Sequence, residues 1–216
     1  MQLRDAYLKV QALREGGAVK RCHARPSARP YNVAEHSFNA LNLLLVLHPN
    51  PNVSLMRAVM WHDVPERWTG DMPAFFKMQY PVVKAAAGLM EDDIFREFDL
   101  GECLSEEERQ WLKAVDLLEF WHWAREEGVM GNGTTDTMLR DCEELIETLI
   151  IKDMFPFEAT AYYNFTVQRP LVTFSDNWKR VQERLIDDKQ DVYSVYANPL
   201  FGELGWGMPE VPDDSE

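Results

Sequence analysis

The fold of this chain is decided by residues 32–71, which read NVAEHSFNALNLLLVLHPNPNVSLMRAVMWHDVPERWTGD. Asn32 is followed three residues later by Glu35, a spacing typical of a helix N-cap and its capping-box partner, so a helix is predicted from Val33. His36 lies on the apolar face of this helix. The other members of that face are Ala40, Leu43 and Leu47. A polar side chain on such a face needs a partner, which makes His36 a candidate ligand.

A second helix is predicted from Ser54, and it carries the adjacent pair His62–Asp63 towards the same interior. The residues three, four and seven positions before each member of this pair are apolar, namely Leu55, Met56, Ala58, Val59 and Met60. An ionised carboxylate inside a protein is destabilising unless it is paired or bound to a metal ion. The pattern therefore predicts a cation beside Asp63.

A third helix is predicted from Ser105, an N-cap residue with Glu108 three positions later. On this helix Leu112, Asp116 and Phe120 recur every four residues, which puts Asp116 on a partly apolar face. The chain thus offers two imidazoles and two carboxylates in the order histidine, histidine–aspartate, aspartate. Such a set can bind a divalent cation and leave positions open for water and substrate.

This ordered set resembles the HD-domain phosphohydrolases, and within them the 5'-deoxynucleotidase branch. The segments that match the family motifs are Arg29 ahead of Val33–Ser37, then Trp61–Glu66, then Thr69–Pro73. The resemblance covers residues 20–121 and extends to phage enzymes that remove triphosphate from dATP. It implies a single all-α helical HD domain and a bound divalent metal ion, with Co, Mn, Zn and Mg all left open.

The same resemblance implies roles for individual residues. The metal would be bound by His36, His62, Asp63 and Asp116. Glu66 matches a catalytic carboxylate of the family, and Asp71 matches a residue that helps to place substrate or water. Relatives are commonly homo-oligomers, so we expect at least a dimer by analogy.

A basic, proline-containing segment precedes the first histidine and is expected to bind phosphate. Arg21 and Arg29 are the phosphate candidates, because a planar guanidinium can bind two phosphate oxygens at once. Lys77 is a further candidate. Where the family commonly has Arg-Trp, with the tryptophan near the sugar 2' position, this chain has Arg21 followed by Cys22 and His23. The sequence therefore leaves open how ribonucleotides would be excluded.

Taken as a whole, the 216-residue chain is expected to form one domain over residues 1–197, followed by an acidic tail over 198–216. No series of alternating strands is evident, which favours an all-α fold. The first helix is predicted over Leu3–Leu13, stopped by Gly16 and Gly17, and residues 66–73 are predicted to be a loop. Later helices are predicted over residues 81–98, 136–154, 157–167 and 175–187.

The net charge and the spacing of the cysteines limit which functions and compartments are possible. A formal net charge of −14 argues against stable binding to nucleic acid or to an anionic membrane. No run of about 18 apolar residues is present. Three widely spaced cysteines without a CxxC motif fit a reducing compartment. We therefore expect a cytoplasmic protein, or one of the host cytoplasm if a phage encodes it.

Three functions are compatible with the sequence. In the first, a metal-dependent phosphohydrolase attacks the α-phosphate of a 2'-deoxynucleotide and releases the deoxynucleoside, from a monophosphate or from a triphosphate such as dATP. The second is an HD phosphodiesterase acting on cyclic nucleotides, although the spare histidines lack the motifs of a second metal site. The third is a helical binding protein without enzymatic activity.

Overall fold

The computed structural model describes residues 3–171 and residue 179, and residues up to Arg169 form one compact unit. In this part of the chain the regular structure is helical, apart from an isolated antiparallel bridge between Lys20 and Asn32. The helices are α1 (Leu3–Gly17), α2 (Val33–Leu47), α3 (Val53–Trp61), α4 (Glu66–Thr69), α5 (Ala74–Gln79), α6 (Pro81–Glu97), α7 (Glu106–Val129), α8 (Asp136–Ile151) and α9 (Phe157–Thr166), with a 3-10 turn over Gly133–Thr135. The all-α prediction is confirmed.

Side-chain caps fix where the three ligand-bearing helices begin. The Asn32 side chain accepts a hydrogen bond from the Glu35 N–H at 2.9 Å, and α2 begins at Val33 as predicted. Ser105 and Glu108 form a reciprocal capping box at the start of α7. The cap of α3 is Asn52, two residues before the predicted start of that helix, and it accepts from the Leu55 N–H at 2.9 Å.

The 24-residue helix α7 is the central helix of the unit that ends at Arg169, and it packs against α2, α3, α8 and α9. The main core lies between these helices, and its fully buried members include Leu44, Leu55, Val59, Leu118, Trp121 and Ile146. A smaller cluster contains Tyr31, Trp123 and Ala124, with Cys22 packed against it. The tryptophans of α7 are therefore core residues. Because α7 contacts both α2 and α3, it can present Asp116 to residues from both.

The two glycines expected to stop α1 are instead inside it, because the helix runs to Gly17. A Cβ added to Gly16 would lie 2.9 Å from Val64 Cγ1 and 3.1 Å from the Val64 carbonyl oxygen. A Cβ on Gly17 would lie 3.1 Å from the Cβ of Ala34. The prediction from helix propensity was wrong, since these glycines allow α1 to approach its neighbours closely.

Other boundaries also differ from the sequence predictions. The segment predicted as a loop over residues 66–73 contains the short helix α4, and α5 was not predicted. Helix α8 ends at Ile151 instead of continuing to residue 154. The helix predicted over residues 175–187 and the boundary predicted at residue 198 lie outside the described residues. No helix in the described part of the chain has the length and apolar character of a membrane span.

Candidate metal centre

The side chain of His36 is fully buried, and its two ring nitrogens have different surroundings. Nδ1 contacts a carboxylate oxygen of Glu119, which accepts the Nδ1–H. Nε2 lies 3.3 Å from His62 Nε2 and 3.3 Å from Asp116 Oδ1. With the proton held on Nδ1, the lone pair of Nε2 is directed at the other candidate ligands.

His62 is oriented in the same way by the end of α3, where it is the C-cap residue. Its Nδ1 lies 2.9 Å from the Val59 carbonyl oxygen, which can accept the Nδ1–H. Its Nε2 lies 3.3 Å from Asp63 Oδ2 and 3.8 Å from Asp116 Oδ1. The backbone at the end of one helix therefore places an imidazole and, one residue later, a carboxylate at the same point.

These four side chains fit a divalent cation. His36, His62 and Asp116 each offer a ligand atom within 4.8 Å of the other two. Asp63 Oδ2 adjoins this group, at 3.6 Å from His36 Nε2. For metal–ligand bonds of about 2.0–2.2 Å, neighbouring donor atoms lie roughly 3.0–3.6 Å apart, which is close to the separations found here. Two nitrogen and two oxygen donors suit Zn, Mn or Co better than Mg, which prefers oxygen ligands alone.

Charge at the cluster also suits a cation. Burial would raise the pKa of Asp63, but the neighbouring His62 and Arg21 hold it well below its usual range. The pKa of Asp116 is also lowered, because Lys113 and the two histidines outweigh its burial. Lys113 Nζ donates to the second oxygen of Asp116 at 2.9 Å, leaving Oδ1 towards the histidines. Both aspartates are therefore anionic donors.

Arg21 lies at the cluster, with its guanidinium in contact with Asp63 Oδ2 and stacked over the Tyr31 ring at 5.6 Å. Its Nε is buried without a hydrogen-bond partner. Glu66 is also buried, and its Oε2 has no partner. Burial, together with the charge of Asp63, raises the pKa of Glu66 to about 8. Both side chains keep hydrogen-bonding capacity that water or substrate can use.

Asp71 lies against the loop that follows α1. Its Oδ2 accepts a hydrogen bond from the Cys22 backbone N–H at 2.6 Å and lies 3.6 Å from His23 Nδ1. Cys22 has a left-handed backbone with a φ of 54°, and burial with the charge of Asp71 raises the pKa of its thiol to about 12. The structure thus brings together Cys22, His23 and Asp71, and the Cys22 thiol is neutral.

The structure does not bring Arg29 to the cluster. Its guanidinium contacts the Glu35 carboxylate and donates to Glu126 Oε2 at 2.7 Å. The Glu35 carboxylate is therefore paired with Arg29, whereas the sequence pattern predicted it as the capping-box partner of Asn32. Arg25 is held elsewhere too, donating to the Thr134 carbonyl oxygen at 3.0 Å. Lys77, on α5, is close enough to Glu66 for its charge to oppose part of the rise in the pKa of that carboxyl.

Two cavities adjoin these residues. One, of about 580 Å³, is lined by His62 together with residues of α6 and the segment that precedes α7. Its volume is within the range of small-molecule sites. The other, of about 370 Å³, is lined by Arg29, Glu119 and His122 but by none of the four candidate ligands. Of the candidate ligands, only His62 lines the larger cavity, and Arg21, Glu66 and Asp71 line neither of the two.

Comparison with known families decides what kind of protein carries this cluster. The family model described as "5'-deoxynucleotidase YfbR-like" matches residues 10–161. The chain belongs to the YfbR-like 5'-deoxynucleotidase family. It is a metal-dependent phosphohydrolase of deoxynucleotides, and the cyclic-nucleotide and non-enzymatic hypotheses lose their support.

Solved structures show that this YfbR-like chain has the HD-domain fold. The HD phosphohydrolase DatZ of cyanophage S-2L, solved with dA and one catalytic Zn²⁺ ion, matches with a TM-score of 0.60 and 18% identity, over 72% of this chain and 91% of DatZ. An HD-domain phosphohydrolase of Listeria innocua matches with a TM-score of 0.58 and 15% identity, over 75% and 87%. A search of curated proteins gave no significant match.

Three residues of this YfbR-like site were missed by the sequence analysis. Glu119 and Tyr31 contact His36, and Lys113 contacts Asp116. Glu119 and Lys113 are each three positions from Asp116, so helical spacing alone would have placed both beside it. No sequence pattern indicated Tyr31, because its contact with Glu119 joins residues that are 88 positions apart.

Proposed function

We propose that this phosphohydrolase is a 5'-deoxynucleotidase that cleaves 2'-deoxynucleoside 5'-monophosphates into deoxynucleoside and inorganic phosphate. The observation that carries the proposal is the position of Arg21, which is the one arginine of the segment 20–29 in contact with a candidate metal ligand. One guanidinium beside a divalent cation matches the charge of a single phosphate group.

The metal would be held by His36, His62, Asp63 and Asp116. When bound, it lowers the pKa of a water molecule and offsets negative charge on the phosphoryl group. The remaining work is to position the phosphate and to move a proton to the departing sugar oxygen.

Around the metal, Arg21 would bind phosphate oxygens, and its unpartnered Nε supports this role. Glu66 would orient the attacking water or the leaving oxygen, since its Oε2 is buried and without a partner. Asp71 would hold the loop that follows α1, which carries Arg21, in place through the Cys22 N–H. Lys77, whose charge acts on Glu66, would add a second cation near the phosphate.

A triphosphate is the second candidate substrate. It is supported by the fold shared with the phage protein DatZ, which was solved with dA. Against it, Arg25 and Arg29 are engaged by other groups of the chain and would have to leave them to bind further phosphates. Both reactions release the same deoxynucleoside, so only the phosphorus product separates them.

Discrimination against ribonucleotides would fall to Cys22 and His23. Both residues lie beside Asp71. In the sequence they follow Arg21, at the place where the family commonly has a tryptophan. In this proposal the half-exposed His23 ring would lie near the sugar 2' carbon, and a 2'-hydroxyl would meet that ring. We therefore propose a preference for 2'-deoxynucleotides, with the base left open.

The deciding experiment is product analysis. Purified protein is incubated with each dNMP, each dNTP and the matched ribonucleotides, under Co²⁺, Mn²⁺, Zn²⁺ or Mg²⁺ in turn. We expect deoxynucleoside and inorganic phosphate from dNMPs. Deoxynucleoside with tripolyphosphate would replace our proposal with a triphosphohydrolase, and a strong dATP preference would point to a phage-type role. Absence of turnover under every metal would overturn both.

We also propose that the enzyme is a cytoplasmic homo-oligomer that acts on small molecules without binding nucleic acid. Exposed apolar residues on α2, namely Phe38, Leu45 and Val46, support self-association. Light scattering after gel filtration measures the assembly, and a strictly monomeric protein at micromolar concentration would overturn that part of the proposal.

A further inference from the structure

We propose that Glu119 is a positioning residue that fixes His36 as a metal ligand, with the Tyr31 hydroxyl holding Glu119 in place. This inference rests on the proposed metal-dependent function. Neither residue belongs to the segments of this sequence that carry the family resemblance. Both are almost completely buried, so their contacts are made away from bulk water.

The contacts converge on one oxygen atom. Glu119 Oε2 accepts the Nδ1–H of His36 and also accepts the Tyr31 O–H at 2.5 Å. The Tyr31 oxygen itself lies 3.2 Å from His36 Nδ1, so the three polar atoms form a closed triangle. A carboxylate buried at this depth requires such partners, and here they are a candidate metal ligand and a single hydroxyl.

The ring of Tyr31 is held by two further contacts. It stacks on Trp123 with ring centroids 4.5 Å apart and an interplanar angle of 10°. The Arg21 guanidinium also lies over the ring, 5.6 Å from its centroid. The hydroxyl therefore has little freedom, and it fixes the position of the Glu119 carboxylate.

The chemical consequence concerns the two histidines differently. A carboxylate on Nδ1–H fixes the tautomer and makes Nε2 a stronger donor to a metal than a neutral acceptor does. His36 has the carboxylate of Glu119, whereas His62 has only the Val59 carbonyl. His36 is therefore the histidine of the pair whose Nδ1–H is held by a charged acceptor, and its bond to the metal depends on Glu119.

Helix α7 makes the arrangement rigid. Asp116 and Glu119 are one helical turn apart, so a single helix supplies a candidate ligand directly and orients a second through its Nδ1. The geometry of the centre thus depends on how α7 packs against α2, which carries His36.

The test uses Glu119→Gln and Tyr31→Phe in the full chain. Affinity for Zn²⁺ is measured by competition with a chromophoric chelator, and the melting temperature of the metal-free protein is measured in parallel. Losing the charge in Glu119→Gln should weaken binding about 10- to 100-fold. Tyr31→Phe leaves the histidine–carboxylate contact in place, so it should weaken Zn²⁺ binding less than Glu119→Gln does. Glu107→Gln, at an exposed site in the first turn of α7, is the matched control and should bind normally.

Two further measurements exclude a merely structural role. Hydrolysis by Glu119→Gln should be largely rescued by excess metal ion, which would not repair a misfolded protein. In the Zn²⁺-loaded protein, the His36 Nδ1–H proton resonance should move upfield in this variant. Unchanged Zn²⁺ affinity in Glu119→Gln overturns the inference. If that variant does not fold, unchanged affinity in Tyr31→Phe overturns it.

The inference and the proposed function can fail separately. Wild-type hydrolysis of deoxynucleotides combined with normal metal affinity in Glu119→Gln would overturn the positioning role alone. Weakened metal affinity in that variant combined with an inactive wild type would support the positioning role and overturn the function.

Discussion

The carboxylate of Glu127 on α7 accepts the backbone N–H of Ala28 at 2.6 Å, across 99 residues of sequence. Glu127 is fully buried, and it also accepts from the Arg29 N–H at 3.3 Å and from the Asn132 side chain at 2.6 Å. These bonds fasten the segment between α1 and α2 to the end of α7. The same segment carries Arg21, so the contact helps to hold Arg21 at the ligand cluster.

We expect Glu127→Gln to destabilise the protein by about 1–3 kcal/mol, because it removes the charge from a buried carboxylate that accepts three hydrogen bonds. Urea denaturation measures this change. The KM for nucleotide should rise more than kcat falls, since the loop loses its anchor while the metal ligands stay in place. Glu126 is the exposed neighbour of Glu127, and Glu126→Gln should lower the free energy of unfolding by less than about 1 kcal/mol. Equal effects of the two variants would contradict the role of Glu127.

Removal of metal should lower stability in a way that depends on His36. With free metal at about 100 times its dissociation constant, binding contributes about 2.7 kcal/mol, or roughly 5–10 °C in melting temperature for a chain of this size. We expect this shift in the wild type on chelation and no shift in His36→Gln. The control is His48→Gln, since His48 lies beside Trp111 and apart from the ligands. A chelator-sensitive His36→Gln would contradict the proposed centre.

Two glycine substitutions should act in opposite directions. In Gly16→Ala the new methyl group would lie 2.9 Å from Val64 Cγ1 and close to its backbone, so we expect a loss of about 1–3 kcal/mol. In Gly88→Ala, inside α6, no atom lies within 4 Å of the added Cβ, and a gain of about 0.5–1 kcal/mol is expected. Thermal denaturation of both variants checks the signs, and a neutral Gly16→Ala would show that α1 can move aside.

Substitutions of Arg21 and Arg29, the two arginines predicted to bind phosphate, should have different effects on kcat/KM. Arg21→Gln removes a cation in contact with Asp63, and kcat/KM should fall about 100-fold or more. Arg29→Gln breaks pairs with Glu35 and Glu126, so its main effect should be a modest loss of stability with kcat/KM within a few-fold of wild type. Steady-state kinetics on the same dNMP compares them. Comparable losses of kcat/KM in the two variants would indicate that Arg29 also binds substrate.

His122 gives a pH dependence of stability. Burial, together with the nearby Arg125, lowers the pKa of His122 from 6.5 to about 4. Between these values the unfolded chain binds the proton more readily, so stability is full above pH 6.5 and falls as the pH drops towards 4. At pH 5 the loss from this group is about 2 kcal/mol. Urea denaturation at pH 7.5 and 5 should show a smaller loss for His122→Gln, and equal losses would contradict the shift.

Local chemistry explains what could be predicted from the sequence. The caps at Asn32 and Ser105 depend on hydrogen bonds within four residues, and both were correctly placed. Apolar periodicity also placed His36 and Asp116 on inward faces, and the structure brings them within 3.3 Å of one another. Such features need no knowledge of the rest of the chain.

Tertiary contacts explain what could not be predicted. Arg29 stands next to the motif in sequence, but Glu126, which pairs with it, is 97 residues away. The same holds for Tyr31 and Glu119, which are 88 residues apart. At Gly16 the helix-stopping tendency of glycine was overridden by packing against Val64. In each case the deciding partner lies on another element.

The close approach of α1 to Val64 limits how the site can be transplanted. Val64 directly follows Asp63, so α1 forms the back wall of the turn that presents this aspartate. A shortened design that kept only α2, α3 with the turn through Asp63, and α7 would retain every candidate metal ligand and still lack that wall. Homologous chains should therefore keep a glycine at position 16 for reasons of space, even where the nucleotide they accept has changed.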